Sequence, residues 1–223
     1  MSRRLFEEWL AKLQENVLTL GVLAEQSIGQ SVALLQQRDF EGAHELIQQD
    51  RAIDARRYAI EAEALTLIVT QQPIARDMRT IAAAIFIANE LERIADYAKG
   101  IARVNIRIGD EPLLKPLVDI PAMATAGQKM LHRSLQAYVQ CDAALARAII
   151  PEDDTVDALY DQIYAELMIR IMETPARMRQ ANLLLMAGHN LERTADRATN
   201  ICERVIYVAT GELQDTGSED NAL

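Results

Sequence analysis

An internal repeat is the feature that most constrains the fold of this 223-residue chain. The segment NELERIADYAKGIARV, residues 89–104, returns about one hundred residues later as HNLERTADRATNICERV, residues 189–205. Both copies are rich in Ala, Leu, Ile, Glu and Arg, which favour helices. The chain is therefore expected to fold as two similar halves, each containing a long helix that carries the same acidic motif.

The spacing of apolar residues predicts three long helices in each half. In the first segment Phe6, Leu10, Leu13, Val17 and Leu20 recur at intervals of three and four, as on one face of a helix. Asp39 and Thr174 are predicted N-caps, because their side chains can accept a hydrogen bond from a first-turn amide. The predicted helices cover about residues 4–37, 39–71, 73–108, 119–140, 142–173 and 174–210.

The segment GDEPLLKPLVDIP, with three prolines, separates the two sets of helices, since proline cannot continue a helix. The predicted fold class is all-α, a tandem pair of up-down-up three-helix bundles with six long helices. The expected domains are a first bundle over residues 1–108, a linker over 109–118 and a second bundle over 119–211. Residues 212–223 form an acidic, polar tail that is expected to be flexible.

Charge and composition argue against several classes of function. The formal net charge of -10 repels phosphate backbones, so nucleic acid is not an expected partner and any charged partner should present basic segments. The N-terminal MSRRLFEEWL carries acid where a signal peptide would be apolar, and no apolar run approaches the roughly 20 residues of a membrane span. A cytoplasmic location is expected, and with it free thiols at Cys141 and Cys202.

Each repeat places two carboxylates on one face of its helix. Glu92 and Asp96 are four residues apart, as are Glu192 and Asp196, and both pairs extend the apolar stripe that should face the bundle interior. The preceding helix of each half carries another pair of aspartates. In an antiparallel hairpin, residues equally far from the turn lie level. The level pairs are Asp50 with Asp96 and Asp54 with Glu92 about Pro73, and Asp153 with Asp196 and Asp157 with Glu192 about Thr174 and Pro175.

Four converging carboxylates near an apolar interior need a compensating cation. The first half offers Arg57 and Lys99, whereas the second half has no Lys or Arg between Arg147 and Arg170. Carboxylate ligands of this number suit hard ions such as Mg²⁺, Mn²⁺, Ca²⁺ or iron. A metal ion is thus expected in the second half, and weaker binding in the first.

Other readings of these carboxylates remain open. The acids could form a solvated face or pair with Arg93, Arg193 and Arg197, and His189 could add a nitrogen ligand to a metal. A carboxylate-bridged bundle for metal storage or di-iron redox chemistry would instead require histidines beside the carboxylates in both halves, and the chain has three in all. A purely structural adaptor would keep its acidic grooves empty for basic segments of partners.

The segments QQPIARDMRTIAAA, ELERIADYAKGIAR and LERTADRATNICERVIY, in this order and spacing, resemble the PhoU family of phosphate-specific transport accessory proteins. The likeness extends over nearly the whole chain. It implies two tandem three-helix bundles, frequent homodimers and clusters of iron, manganese, magnesium or zinc at the repeated motifs. The implied metal ligands are Asp50, Asp54, Glu92, Asp96, Asp153, Asp157, Glu192, Asp196 and Asn200.

The resemblance also implies a function. PhoU proteins act with the ATPase of the phosphate ABC transporter and a sensor histidine kinase as negative regulators of the phosphate-starvation response. The motif continues to an Asn, kept at Asn200, where the first copy has Gly100 with Lys99 beside it. The chain has no glycine-rich phosphate loop and no Ser/His/Asp grouping in motif context, which favours a regulator over an enzyme.

Overall fold

The structure, a computed structural model, describes residues 3–212 and is helical over almost all of that range. The predicted all-α fold class is confirmed. Two 3₁₀ turns, Ile150–Glu152 and Pro175–Arg177, accompany the α-helices. The helices are α1 (Arg3–Gln37), α2 (Phe40–Gln71), α3 (Ala75–Ile108), α4 (Asp119–Gln140), α5 (Ala143–Ile149), α6 (Asp153–Glu173) and α7 (Met178–Thr210). The predicted tail lies outside the described residues from position 213 onward.

Local capping explains where several helices begin. Asp39 has an extended backbone, and its carboxylate accepts a hydrogen bond of 2.9 Å from the amide of Gly42, which makes it the N-cap of α2 as predicted. Asp142 caps α5 in the same way, through the amides of Ala144 and Leu145. Thr174 precedes Pro175 at the predicted N-cap position, without a side-chain hydrogen bond. Side-chain caps therefore fix some of these boundaries but not all.

The prediction of one continuous helix over residues 142–173 is wrong in detail. The chain forms α5, then a 3₁₀ turn at Ile150–Glu152, and only then α6. Pro151 lies in this turn, and a proline lacks the amide proton and crowds the preceding helical turn. As a result α6 begins at Asp153, so that Asp153 and Asp154 lie in its first turn, where the helix dipole favours negative charge.

A single hydrophobic core runs through both halves. In the first half α3 packs against α1 and α2, and in the second half α7 packs against α4, α5 and α6. The halves meet through α3 with α7 and α1 with α4. Fully buried residues of both halves, such as Leu20, Leu91, Leu191 and Ile201, belong to one continuous cluster. The sequence-based domain limits remain a prediction.

A buried lysine, Lys115, attaches the linker between the halves to the second half. Lys115 is 7% exposed, and its Nζ donates to Asp119 at 2.7 Å and to Glu166 of α6. Burial alone would lower the pKa of Lys115, but the hydrogen bonds to Asp119 and Glu166 outweigh it and the pKa is raised. The linker is therefore held to the second half as a charged pair.

Both cysteines are free thiols, as expected. Cys202 is fully buried, and burial raises the pKa of its thiol to about 12. In helix α1, residues Arg4–Gln37 are long and apolar enough to cross a membrane by length and composition alone. The core helix of a globular protein meets the same criterion, and 44% of the apolar window of α1 is buried within the fold.

Candidate functional site

The first-half cluster consists of Asp50 and Asp54 on α2 with Glu92 and Asp96 on α3. Lys99 bridges the two helices, because its Nζ contacts a carboxylate oxygen of Asp50 and lies 2.5 Å from Oδ1 of Asp96. Asp50 is buried and the other three carboxylates are half-buried. The structure thus brings all four predicted residues to one level, at the edge of the core.

Neighbouring charges act on the carboxyl group of Glu92. Its pKa is raised, first by burial and then by the negative charges of Asp96 and Asp54, while the arginines Arg93 and Arg57 partly offset this. The Arg57 guanidinium itself pairs with Glu61 at 2.8 Å and lies over the ring of Tyr58. Arg57 therefore offsets the negative charge of the cluster only from a distance, and Lys99 is the cation that contacts its carboxylates directly.

The second-half cluster consists of Asp153 and Asp157 on α6 with Glu192 and Asp196 on α7. Burial first, and then the negative charges of Asp157, Asp196 and Glu192, together raise the pKa of Asp153 to about 7. The pKa of Asp157 is also raised, by its burial and by Asp196, Asp154 and Asp161. Here too the four predicted residues converge, and their mutual repulsion is strong.

No Lys or Arg forms an ion pair with these four carboxylates in the described part of the chain. Glu192 has a raised pKa from burial and from Asp196, and its Oε2 lies 2.9 Å from Nδ1 of His189 without hydrogen-bond alignment. That oxygen and Oδ1 of Asp153 are both buried without a hydrogen-bond partner. Buried, unpaired carboxylate oxygens are costly, which marks the place where a cation would be held.

A metal ion fits the second-half cluster better than the first. Among residues 3–212 no group of three His, Cys, Asp or Glu side chains is already arranged around one ion position. Binding would therefore require small side-chain rotations. In the second half these would turn Asp153, Asp157, Glu192 and Asp196 toward an ion, all of them hard oxygen donors. In the first half the Lys99 ammonium already occupies the space between Asp50 and Asp96.

Contacts between α3 and α7 involve residues that the sequence reasoning missed. Glu90 is buried, and its Oε2 accepts from Arg197 at 3.3 Å and from the Asn200 amide at 3.1 Å. Arg193 donates from Nε to the hydroxyl of Tyr97 at 3.1 Å. Arg193 and Arg197 thus bond across the helix pair rather than to the clusters. The sequence signal for this contact was a difference between the repeats: Glu90 in the first copy is replaced by the neutral Asn190 in the second.

The same helix pair accounts for the departure at Gly100 from the repeated motif. A Cβ atom at Gly100 would lie 2.9 Å from Nδ2 of Asn190, so that a side chain there would displace Asn190. Asn200, the equivalent of Gly100 in the second copy, instead contacts Glu90. The two repeats therefore differ at this position because α3 and α7 cross closely on one side of the pair.

Comparisons with known proteins agree with this architecture. A family model described as "PhoU domain" matches residues 17–104 and again residues 120–205. The chain is 35% identical over 216 residues to the "Phosphate-specific transport system accessory protein PhoU homolog" of Clostridium acetobutylicum, covering 96% of this chain and 99% of the relative. A protein of the same description from Aquifex aeolicus is 36% identical over 210 residues, covering 94% of this chain and 95% of the relative.

Crystal structures give the same result. The "phosphate transport system regulatory protein PhoU" from Streptococcus pneumoniae matches with a TM-score of 0.87 at 29% identity, over 94% of this chain and 99% of that one. PhoU from Pseudomonas aeruginosa matches with a TM-score of 0.86 at 30% identity, over 93% of this chain and 100% of that one. The resemblance inferred from the motifs is confirmed: with both halves matched by the family model and relatives aligned along nearly the whole length, this chain belongs to the PhoU family.

Proposed function

We propose that this protein is a non-enzymatic accessory regulator of phosphate-specific transport, which keeps the phosphate-starvation response off when phosphate is plentiful. The observation that carries the proposal is the match of both halves to PhoU domains. Relatives that align over 94–96% of the chain are described as accessory proteins of the phosphate-specific transport system. One structural neighbour is described as a regulatory protein of phosphate transport.

The proposed partners are the ATPase of the phosphate ABC transporter and a sensor histidine kinase, met in the cytoplasm by a homodimer of this chain. The net charge of -10 favours basic segments on these partners, since complementary charge speeds encounter and suppresses wrong pairings. A deletion strain of the source organism should express phosphate-scavenging genes in rich phosphate. Normal repression in that strain, with no second copy of the gene, would contradict the regulatory role.

We also propose that the second-half cluster holds a metal ion, iron, manganese, magnesium or zinc, on Asp153, Asp157, Glu192 and Asp196. Asn200, the fifth ligand expected in this half, donates its amide to Glu90 and would have to leave that bond to join them. The support is the convergence of these carboxylates without a pairing Lys or Arg, and the buried Oδ1 of Asp153, which lacks a hydrogen-bond partner. A bound divalent ion would cancel about two of the four negative charges and join α6 to α7. The first-half cluster is proposed to bind metal more weakly, because Lys99 already bridges it.

Elemental analysis of protein purified without chelators tests the metal proposal. Wild-type protein should carry metal, and Asp196→Ala should lose it. The matched first-half variant Asp96→Ala should keep most of the wild-type content, because its cluster is the weaker binder. Wild-type protein without metal, or Asp196→Ala with unchanged metal, would refute the assignment. A di-iron redox or storage role would instead appear as two iron ions per cluster.

A further inference from the structure

A polar cavity of about 660 Å³ lies between the two halves, lined by residues of α2 and α3 from the first half and of α7 from the second. Four arginines contribute to its walls: Arg57 from α2, Arg93 from α3, and Arg193 and Arg197 from α7. Tyr97 also lines it, and its hydroxyl accepts from Nε of Arg193. The arginines thus come from both halves of the molecule and face one space.

Two of the three acidic residues of the same cavity are already paired. Asp96 is paired with Lys99 at 2.5 Å, and Glu90 accepts from the wall arginine Arg197 at 3.3 Å. Glu92 remains, half-buried and close to Arg93 and Arg57, and Arg57 is itself paired with Glu61. After these pairings the guanidinium groups outnumber the carboxylates that face them. Like charges gathered in one cavity are unfavourable unless an anion compensates them.

Several arginine donors in the cavity have no acceptor. The Nε atoms of Arg57 and Arg197 are buried and lack a hydrogen-bond partner. Arg93 is exposed at the cavity wall. Arg193 donates to Tyr97 through Nε, so the two terminal amino groups of Arg193 can donate to another acceptor. A guanidinium presents a planar fork of donors that matches the oxygens of phosphate in a bidentate manner.

The way in which the halves dock explains why the arginines meet. The bonds that Asn200 donates to Glu90 and Arg193 donates to Tyr97 show that α3 and α7 run antiparallel. The two helices cross near the buried alanines Ala95 and Ala195. Arg93 and Arg193 are equivalent positions of the two repeats, so the crossing brings equivalent arginines from opposite directions into one cavity. A site of this kind exists only when both halves are docked.

We propose that this cavity is an oxyanion site, which takes inorganic phosphate or the phosphoryl group of a small metabolite on Arg93, Arg193 and Arg197. The site adjoins the first-half cluster through Glu92 and Asp96, but its chemistry differs, since it binds anions through arginine and not through a metal. It stands on the geometry of the cavity and does not depend on the proposed regulatory function. Loss of anion binding in purified protein would therefore leave the regulatory proposal untouched.

Isothermal titration of the purified full chain with inorganic phosphate, at constant ionic strength set with chloride and with chelator present, tests the site. Wild-type protein should bind phosphate, and Arg93→Gln and Arg193→Gln should each weaken binding by roughly tenfold, as expected for the loss of a charge-assisted hydrogen bond. Arg103→Gln is the matched control, an exposed arginine of the same helix α3 that does not line the cavity. It should bind like wild type.

Parallel titrations with ATP and with sulfate identify the source of the phosphoryl group. Tighter binding of ATP than of phosphate would assign a nucleotide or related metabolite, and tighter binding of phosphate would assign the free ion. The proposal is overturned if wild type binds neither phosphate nor ATP, if Arg93→Gln and Arg193→Gln bind as wild type does, or if binding requires added metal. Circular dichroism of each variant confirms that it is folded, and Arg93 is exposed, so its replacement leaves the core intact.

Discussion

The two carboxylate clusters have the same four acids at the same helical spacing, yet they balance their charge differently. In the first-half cluster Lys99 bridges Asp50 and Asp96. In the second half the equivalent residue is Thr199, whose hydroxyl donates to the backbone oxygen of Asp196 at 2.7 Å. Burial and the neighbouring acids then raise the pKa of Asp153 to about 7. The residue at this position, Lys99 or Thr199, therefore distinguishes a cluster that contains an ammonium group from one that has none.

Exchange of this residue in the second half is expected to have the largest effect on metal binding. Thr199→Lys should place an ammonium between Asp153 and Asp196, as Lys99 does between Asp50 and Asp96. The added charge opposes a metal ion directly, so the affinity of the second-half cluster for metal should fall on the order of a hundredfold. Metal titration of chelator-treated protein measures the change.

Thr210→Lys is the matched control for this exchange. Thr210 lies on the same helix, makes the same kind of hydroxyl-to-carbonyl bond and is exposed outside the cluster, so it adds one charge without reaching the carboxylates. Its metal affinity should equal that of wild type. If Thr199→Lys also binds metal normally, then the absence of a lysine is not what distinguishes the two clusters.

The reverse exchange, Lys99→Thr, should convert the first-half cluster into an open one. Asp50 is buried, and removal of one partner of a buried pair typically costs about 3–5 kcal/mol in the free energy of unfolding. Metal should restore much of this loss and raise the number of bound ions per chain. Chemical denaturation with and without metal gives both quantities.

A surface lysine provides the comparison for Lys99→Thr. Lys129 is 67% exposed and lies 3.5 Å from Glu152, so Lys129→Thr should change the free energy of unfolding by less than about 1 kcal/mol. A loss as small for Lys99→Thr would mean that the bridge to Asp50 and Asp96 contributes little. In that case the first-half cluster is stabilised by water and not by its lysine.

Much of this comparison could be predicted from the sequence, because the repeat and the distances from each turn place the carboxylates on known faces and levels. The spacing also offered Lys99 as a compensating cation, together with Arg57, but the structure shows that Lys99 alone bridges Asp50 and Asp96. Two features differ from the prediction. The break before α6 depends on Pro151, which is visible in the sequence and disfavours a continuous helix, although the apolar pattern continues through it.

The second feature is the set of contacts between α3 and α7. Periodicity predicts which face of each helix is apolar. It does not predict how the two bundles are oriented, because many relative orientations would bury these apolar faces. The pairing of Glu90 with Arg197 and the meeting of Arg93 with Arg193 depend on the antiparallel crossing of these two helices. Such contacts between distant segments follow from the docking of whole bundles, for which a single sequence carries no local pattern.

A difference in pH dependence between the halves should be of intermediate size. The pKa of Asp153 is raised in the folded protein, so the carboxyl group keeps its proton there while the unfolded chain has lost it, and stability declines as pH rises from about 4 to about 7. In chelated protein Asp153→Asn should remove this penalty and raise the free energy of unfolding at pH 8 by about 2 kcal/mol, allowing for solvent screening of a half-buried group. Denaturation at pH 8 and pH 4 measures the gain and its disappearance.

Asp50→Asn is the first-half counterpart of that variant. Asp50 is paired with Lys99, so its replacement should lower stability at pH 8, the opposite sign to Asp153→Asn. Changes of the same sign in the two variants would show that the clusters are electrostatically alike. The contrast drawn from Lys99 and Thr199 would then lack a thermodynamic consequence.

The smallest expected effect concerns partner binding, which should depend on metal through the second half alone. An ion bound there cancels about two negative charges, whereas Lys99 already neutralises part of the first-half cluster. Binding of the proposed partner, the transporter ATPase, should weaken as salt rises, because exposed charges steer the encounter. It should differ by a few-fold between metal-loaded and chelated protein. Thr199→Lys carries its own cation, so its affinity for the ATPase should not respond to chelator.

Surface plasmon resonance at low and high salt, with and without chelator, compares the two proteins. If the wild-type affinity changes neither with salt nor with chelator, the partner is recognised through apolar contacts, and both clusters serve only the stability of the fold.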